Sequence, residues 1–187
     1  LGMTIKYNVD PKKEKGPFIV VSNHASRLDY IFTGLAFLPH RMNFVAGYNE
    51  FFRSHLAMVF RLLQVIPKKN FVPDIYAMRE IKRILKGGGS ICIFPEGTRA
   101  RGKDELDMIQ FKEGSLKIAE KSGCPVIPVA MVRTADIFEK HTPRVVPTEV
   151  TVYYGKPIYI KELEPEQRKR AGAYTKEVIA DMIREIM

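Results

Sequence analysis

The stretch Asp74–Arg99, DIYAMREIKRILKGGGSICIFPEGTR, decides how this chain folds. Asp74 is a residue type that caps helices, because its carboxylate accepts hydrogen bonds from first-turn amides. The run from there to Lys86 carries no glycine or proline and reads as a helix, and Gly87-Gly88-Gly89 stops it. Ile91 to Phe94 is then a short apolar run bounded by turn residues, which marks a buried strand. Pro95-Glu96-Gly97 ends that strand and opens a turn.

The same alternation extends in both directions. Upstream, Phe18 to Val21 is a strand ending in Ser22-Asn23-His24, and Leu28 to Leu38 is a helix stopped by Pro39. Asn43 to Ala46 is a second strand. Phe51 to Leu63 is helical, with Phe52, Leu56, Val59, Phe60 and Leu63 at spacings of three and four. Val65 to Pro67 is short and strand-like. Downstream, Phe111 to Lys121 is a helix with Gly123 as its stop, and Val126 to Val132 is a strand. Val150 to Tyr154 is another, closed by Gly155-Lys156-Pro157, and Glu166 to the end is a helix with charged and apolar faces. The order βαβαβαβαββα predicts an α/β fold, a mostly parallel central sheet flanked by helices. There is no internal repeat or long linker, so residues 1–187 are expected to form one domain.

Composition narrows the function. The chain is 45% hydrophobic and 27% charged, which suits a globular protein and excludes a disordered one. Lys and Arg number 30 against 21 acids, a formal charge of +9, which favours anionic partners such as phospholipid surfaces, phosphate esters, coenzyme A or nucleic acid. Cys92 and Cys124 have neither metal-ligand nor disulfide-framework spacing, and the other histidines, His40, His55 and His141, are scattered, so no metal site is expected. No apolar run reaches the roughly 18 residues of a membrane-spanning helix. The chain starts at Leu1, and an N-terminal membrane anchor further upstream is compatible with that start.

Two segments carry chemistry. In Asn23-His24-Ala25-Ser26-Arg27-Leu28-Asp29, His24 follows a strand and Asp29 lies five residues on. In an unbroken helix five residues rotate about 140° past the starting face, and the two side chains diverge. With His24 in the turn and Asp29 in the first helical turn they converge. A carboxylate on Nδ1 then fixes the imidazole tautomer and leaves Nε2 to take a proton. The plainer reading has Asp29 favouring a helix N-terminus and His24 making a turn hydrogen bond. In Phe94-Pro95-Glu96-Gly97-Thr98-Arg99, Gly97 lets backbone N–H groups approach a ligand and Arg99 offers a fork of donors for phosphate. Its plainer reading is a surface turn with an Arg–Glu ion pair. Both segments follow buried strands, and open α/β sheets bind ligands beyond the carboxyl ends of their strands.

These residues resemble the glycerolipid acyltransferases. That family has an Asn-His-x4-Asp block, here Asn23 to Asp29, and a Phe-Pro-Glu-Gly-Thr-Arg block, here Phe94 to Arg99 unchanged. It has a later Val-Ile/Val-Pro-Val block, here Val126-Ile127-Pro128-Val129, and the resemblance runs from about Gly16 onward. It implies that His24 is the general base toward an acceptor hydroxyl and that Asp29 orients it. It implies that Glu96, Gly97, Thr98 and Arg99 position an acceptor phosphate, that Asn23 and Arg27 of the first block join them in binding substrate, and that Pro128 shapes the crevice wall. Where the family often has Ile-Pro-Val-Asp-Arg, this chain has Ile66-Pro67-Lys68-Lys69-Asn70. Lys68 or Lys69 replaces that basic residue as a point charge, or the pair is simply solvated.

The implied reaction is transfer of a fatty acyl group from acyl-CoA or acyl carrier protein, as co-substrate and without a cofactor, to the sn-2 hydroxyl of 1-acylglycerol 3-phosphate. Phosphatidic acid for phospholipid biosynthesis is the product. The same chemistry on another lyso-lipid is the alternative. No covalent acyl-enzyme is implied, which leaves the cysteines structural. A nucleic-acid-binding protein is disfavoured because no aromatic stacking ladder or helix-turn-helix signal appears, and a serine hydrolase because no Gly-x-Ser-x-Gly elbow does. The expected partner surface is an anionic phospholipid membrane, on the cytoplasmic face of a bacterial cell membrane. Phe51 to Leu63 either lines an acyl groove, lies among headgroups, or is an ordinary core helix.

Overall fold

A computed structural model describes residues 2–7, 10, 13–38, 40, 42–48, 57–62, 65–69, 74–100 and 104–187. The strands are β1 (Gly2–Tyr7), β2 (Ile19–Ser22), β3 (Met42–Gly47), β4 (Ile66–Lys68), β5 (Ser90–Ile93), β6 (Val126–Val132) and β7 (Glu149–Tyr154). The helices are α1 (Asp29–Ala36), α2 (Ala57–Leu62), α3 (Ile75–Lys86), α4 (Glu113–Ser122), α5 (Pro165–Lys169) and α6 (Ala171–Ile186). The sheet order is β1-β7-β6-β2-β5-β3-β4; the β6–β7 pairing is antiparallel and the other pairings of these strands are parallel. This is the mostly parallel α/β domain that the alternation predicts.

The predicted caps are seen. Asp74 accepts a hydrogen bond from Ala77 N at 3.0 Å and starts α3, and Gly123 ends α4 at φ 72, in the left-handed region that glycine enters without a Cβ penalty. Two elements differ from expectation. Strand β1 lies before the first predicted strand and pairs with β7 at the sheet edge. Its alternation of Met3 and Ile5 with Thr4 and Lys6 is the period of a half-buried strand, and Met3 and Ile5 pack on the core. The C-terminal helix is broken at Arg170, because Glu113 accepts from the amides of Gly172 and Ala173 and so gives α6 an N-terminus of its own. Of the predicted helix over Phe51 to Leu63, residues 57–62 are helical as α2, and Phe51, Phe52, Leu56 and Leu63 lie outside the described residues, as does the predicted helix stop Pro39.

Period-two alternation sends neighbouring strand residues to opposite faces and so makes two cores. Ile19, Val21, Ile91 and Ile93 face α3, α4 and α6, meeting Ile81, Leu116 and Ile179. Phe18, Val20 and Cys92 face the other way, onto Tyr30, Phe32 and Ala36 of α1. The chain leaves β2 through α1 for β3 on one side, and leaves β5 through α4 for β6 on the other. Adjacent strands β2 and β5 thus part company at their carboxyl ends, with their helices on opposite faces, and a crevice opens between the two departing loops.

Candidate active site

Both candidate segments empty into that crevice. Asp29 is the first residue of α1 and is fully buried, while His24 remains in the preceding turn. This is the convergent arrangement, and His24 Nδ1 lies 2.8 Å from Asp29 Oδ2. The same oxygen accepts from Ala25 N and Ser26 N, each at 2.9 Å, so the carboxylate also shapes the turn. The ring of His24 stacks on Phe94 at 4.4 Å between centroids and meets Tyr30 edge-on at 5.6 Å. Three contacts from three directions leave the imidazole little rotational freedom.

The second segment holds the backbone of the first. His24 N donates to Glu96 Oε1 at 2.8 Å, and His24 O accepts from Ala100 N at 2.7 Å. The other Glu96 oxygen accepts from Ile109 N at 2.8 Å. Burial pushes the Glu96 carboxyl up from its ordinary value, and the two amide hydrogen bonds oppose that shift. Glu96 therefore brackets two loops and does not line the cavity at the β2–β5 junction, unlike its expected place beside a phosphate. Asn23 likewise turns away from the cavity. Its side-chain amide donates to Met131 O and accepts from Met131 N, both at 2.8 Å, which pins the turn to β6.

The cavity at the β2–β5 junction has a volume of about 230 Å³. Of the residues singled out by sequence, His24, Arg27, Lys68, Gly97, Thr98 and Arg99 line it. Lys69 does not, and its backbone N–H instead donates to Asp74. Pro128 does not either, which corrects its expected place on the crevice wall. It is buried in β6 and packs toward Gly155 and Met182 on the α6 side of the sheet. Arg99 Nη1 lies 3.6 Å from Glu139 Oε1, so its acidic neighbour comes from the loop after β6 and not from Glu96.

Glu139 escaped the sequence reading. It accepts from Ser26 Oγ and from Arg27 N, both at 2.7 Å, and so clasps the outer half of the His24–Asp29 turn as Glu96 clasps the inner half. Phe60, from the segment expected to line an acyl groove or to be a core helix, lines the cavity too, and Tyr30, Lys112 and Ser115 do so without having been singled out for it. Tyr30 was readable, since it follows Asp29 directly, whereas Lys112 carries no local signal. Lys68 is half-buried, and burial, then the Lys112 ammonium, pull its proton affinity below the ordinary lysine value against the opposing pull of Asp74. Burial pushes the Cys92 thiol well up, which disfavours the thiolate a nucleophile needs. Among the described residues no cluster of three or more His, Cys, Asp or Glu side chains could hold a metal ion.

A buried His–Asp pair stacked against an aromatic ring thus opens on a crevice lined by the cationic residues Arg27, Lys68, Arg99 and Lys112. Residues 4–132 match the family described as Acyltransferase, and the chain belongs to that family. It is 31% identical over 146 residues to the chloroplastic 1-acyl-sn-glycerol-3-phosphate acyltransferase of Brassica napus, covering 76% of this chain and 41% of that protein. It is 33% identical over 111 residues to the 1-acyl-sn-glycerol-3-phosphate acyltransferase of Borreliella burgdorferi, covering 58% of this chain and 40% of that protein. The crystal structure of the 1-acyl-sn-glycerophosphate (LPA) acyltransferase of Thermotoga maritima superposes with a TM-score of 0.75 at 29% identity, over 97% of this chain and 71% of that one. The chain thus spans less than half the length of these two curated relatives.

Proposed function

We propose that the protein transfers a fatty acyl group from a thioester, acyl-CoA or acyl carrier protein, to the sn-2 hydroxyl of 1-acylglycerol 3-phosphate, forming phosphatidic acid. The observation that carries this reading is the 2.8 Å contact between His24 Nδ1 and Asp29 in a cavity lined by Lys68, Arg27 and Arg99. Asp29 holds the imidazole with its proton on Nδ1, and Nε2 takes the proton of the acceptor hydroxyl as the oxygen attacks the thioester carbonyl. The carbonyl oxygen becomes the tetrahedral oxyanion. Its collapse expels the thiolate, which the imidazolium at Nε2 reprotonates. Asn23, Glu96 and Glu139 act indirectly, by fixing the backbone that presents His24.

Both the acceptor and the product are lipids, so the crevice works at a bilayer surface, in this reading the cytoplasmic face of a membrane. Ile31, Leu35 and Leu38, at 37%, 51% and 56% exposure, form an apolar stripe that starts two residues after Asp29 and runs along α1 toward the amino end of β2, where Phe37 meets Phe18. The charge of +9 adds attraction to anionic headgroups. Among the described residues no helix is long and apolar enough to cross a membrane.

An assay crossing acyl-CoA and acyl carrier protein donors with 1-acylglycerol 3-phosphate, lysophosphatidylcholine and monoacylglycerol tests the reaction. The expected result is phosphatidic acid as the dominant product with at least one donor. No transfer to any acceptor, or equal transfer to the uncharged one, overturns the reading.

A further inference from the structure

We propose that a second cavity, on the far side of Arg27 and Arg99 from the crevice, seats the pantetheine arm of the thioester donor, the part that coenzyme A and a carrier protein have in common. The inference deepens the acyl-transfer reading and rests on it for the identity of the donor. This second cavity has a volume of about 380 Å³, against about 230 Å³ for the crevice. Arg27 and Arg99 line both spaces, and Ala25, the residue after His24, lines the second. A recess of about 20 Å³ shares Ala25, Ala100, Ala135 and Lys140 with the second cavity and is also lined by His24. The two cavities therefore approach the turn that carries the base from two sides.

Three observations fit a donor in this place. First, direct transfer needs both substrates at His24 together, because the acceptor oxygen attacks the thioester carbonyl as its proton leaves. An arm that enters beyond Arg27 and Arg99 reaches the base without crossing an acceptor held in the crevice. Second, the charges of the second cavity are balanced within the protein. Arg99 has Glu139 at 3.6 Å, and Lys140 has Asp136 at 2.7 Å. A phosphate placed here would meet the Glu139 carboxylate, which also lines the cavity. A neutral chain of amide and hydroxyl groups brings hydrogen-bonding capacity without a charge to offset. Third, Ala25, Ala100 and Ala135 put nothing larger than a methyl group on the wall. Arg27, Lys140 and Thr142, which also line it, are exposed, so the space is open to solvent. Small wall residues behind an exposed rim admit a slender chain.

The test fills the second cavity and leaves the crevice alone. Ala135→Leu narrows it from a buried position and Thr142→Trp from an exposed one. Lys121→Trp puts comparable bulk on an exposed position of α4 outside both cavities. Binding of pantetheine and coenzyme A is followed by ligand-observed NMR, binding of glycerol 3-phosphate by calorimetry, and donor and acceptor KM by acyl transfer from acyl-CoA. A side chain built into space that a ligand uses costs ~10-fold or more in affinity. Ala135→Leu and Thr142→Trp should weaken pantetheine and coenzyme A by that factor and raise the donor KM alike. Affinity for glycerol 3-phosphate and the acceptor KM should stay unchanged, and Lys121→Trp should change nothing. Circular dichroism reports the fold of each protein, and Thr142→Trp carries the test if Ala135→Leu does not fold.

Unchanged pantetheine affinity in folded Thr142→Trp overturns the proposal, as does a loss that falls equally on glycerol 3-phosphate. A loss confined to coenzyme A puts its nucleotide in the cavity in place of the arm, and also overturns it. The same holds if the wild type binds neither pantetheine nor coenzyme A. The binding readouts require no turnover. A protein that binds pantetheine in this cavity yet transfers no acyl group would overturn the reaction and leave the seat standing. Acyl transfer with an unchanged donor KM in both variants would do the reverse.

Discussion

On the His24 side of the cavity, three polar groups of one residue are tied down: its N–H to Glu96 at 2.8 Å, its carbonyl to Ala100 at 2.7 Å and its Nδ1 to Asp29 at 2.8 Å. On the opposite side, Lys68 and Lys112 stand on separate elements, and burial, then the Lys112 ammonium, lower the proton affinity of Lys68. The first side is held rigidly without substrate, as the proposed proton transfer requires, because an error of an ångström costs rate. The second side is cationic, and in the proposed reaction its part is to bind and orient the acceptor. Loss on the first side should therefore appear in kcat, and loss on the second in the acceptor KM.

The comparison is broken most severely at His24. His24→Ala should lower kcat by ~10²–10⁴-fold with an unchanged circular-dichroism spectrum, and Asp29→Asn should be impaired to a similar degree because the ring tautomer is no longer fixed. Near-normal turnover of His24→Ala would remove the mechanism. Glu96→Gln comes next. An amide supplies one oxygen for the two N–H groups of His24 and Ile109 and leaves one facing an NH₂ group, a penalty of ~1–3 kcal/mol in stability. Its kcat should fall while the acceptor KM holds. An acceptor KM that rises alone would mean that Glu96 touches the substrate after all.

Glu96 also sets a pH dependence of stability. Its carboxyl is raised in the folded state, so between the ordinary glutamate range and the raised value the folded protein binds more protons than the unfolded one. Stability attributable to Glu96 therefore falls as pH rises through that window, and Glu96→Gln should flatten the decline. Denaturant melts at several pH values read it directly, and an unchanged slope would contradict the assignment.

Effects on the second side should be smaller and differently distributed. Arg99→Lys keeps the charge and loses the fork, and should raise the acceptor KM by about fivefold, the worth of ~1 kcal/mol, while the donor KM stays put. A loss confined to the donor would reassign Arg99. Asp74→Ala removes the carboxylate that accepts from Lys69 N and Ala77 N and should cost ~0.5–2 kcal/mol in a thermal or denaturant melt, with Lys68 loosened as a consequence. The hydrogen bonds from Lys69 and Ala77 hold the Asp74 carboxyl below its ordinary value, so the stability it contributes is present above that ordinary value and is lost as pH falls through the lowered one.

The sequence by itself determined whatever depends on neighbours along the chain. The helix from Asp74 to the glycine run, the buried strands at Phe18 and Ile91 and the stop at Gly123 follow from capping, periodicity and turn chemistry, which act over a few residues. The His24–Asp29 pair was legible for the same reason, since strand end, turn and helix start lie within the eight residues Ser22–Asp29. Sequence left the facing of side chains open. Nothing local says that Glu96 turns inward to amides 72 and 13 positions away, or that Arg99 lies beside Glu139. Pro128 reads as crevice and packs on the far side of the sheet, and Lys112 reads as an unremarkable helix-start lysine and lines the cavity. Those outcomes were decided when β2 and β5 became neighbours whose chains depart in opposite directions, because that crossover alone creates the crevice and selects which distant residues border it.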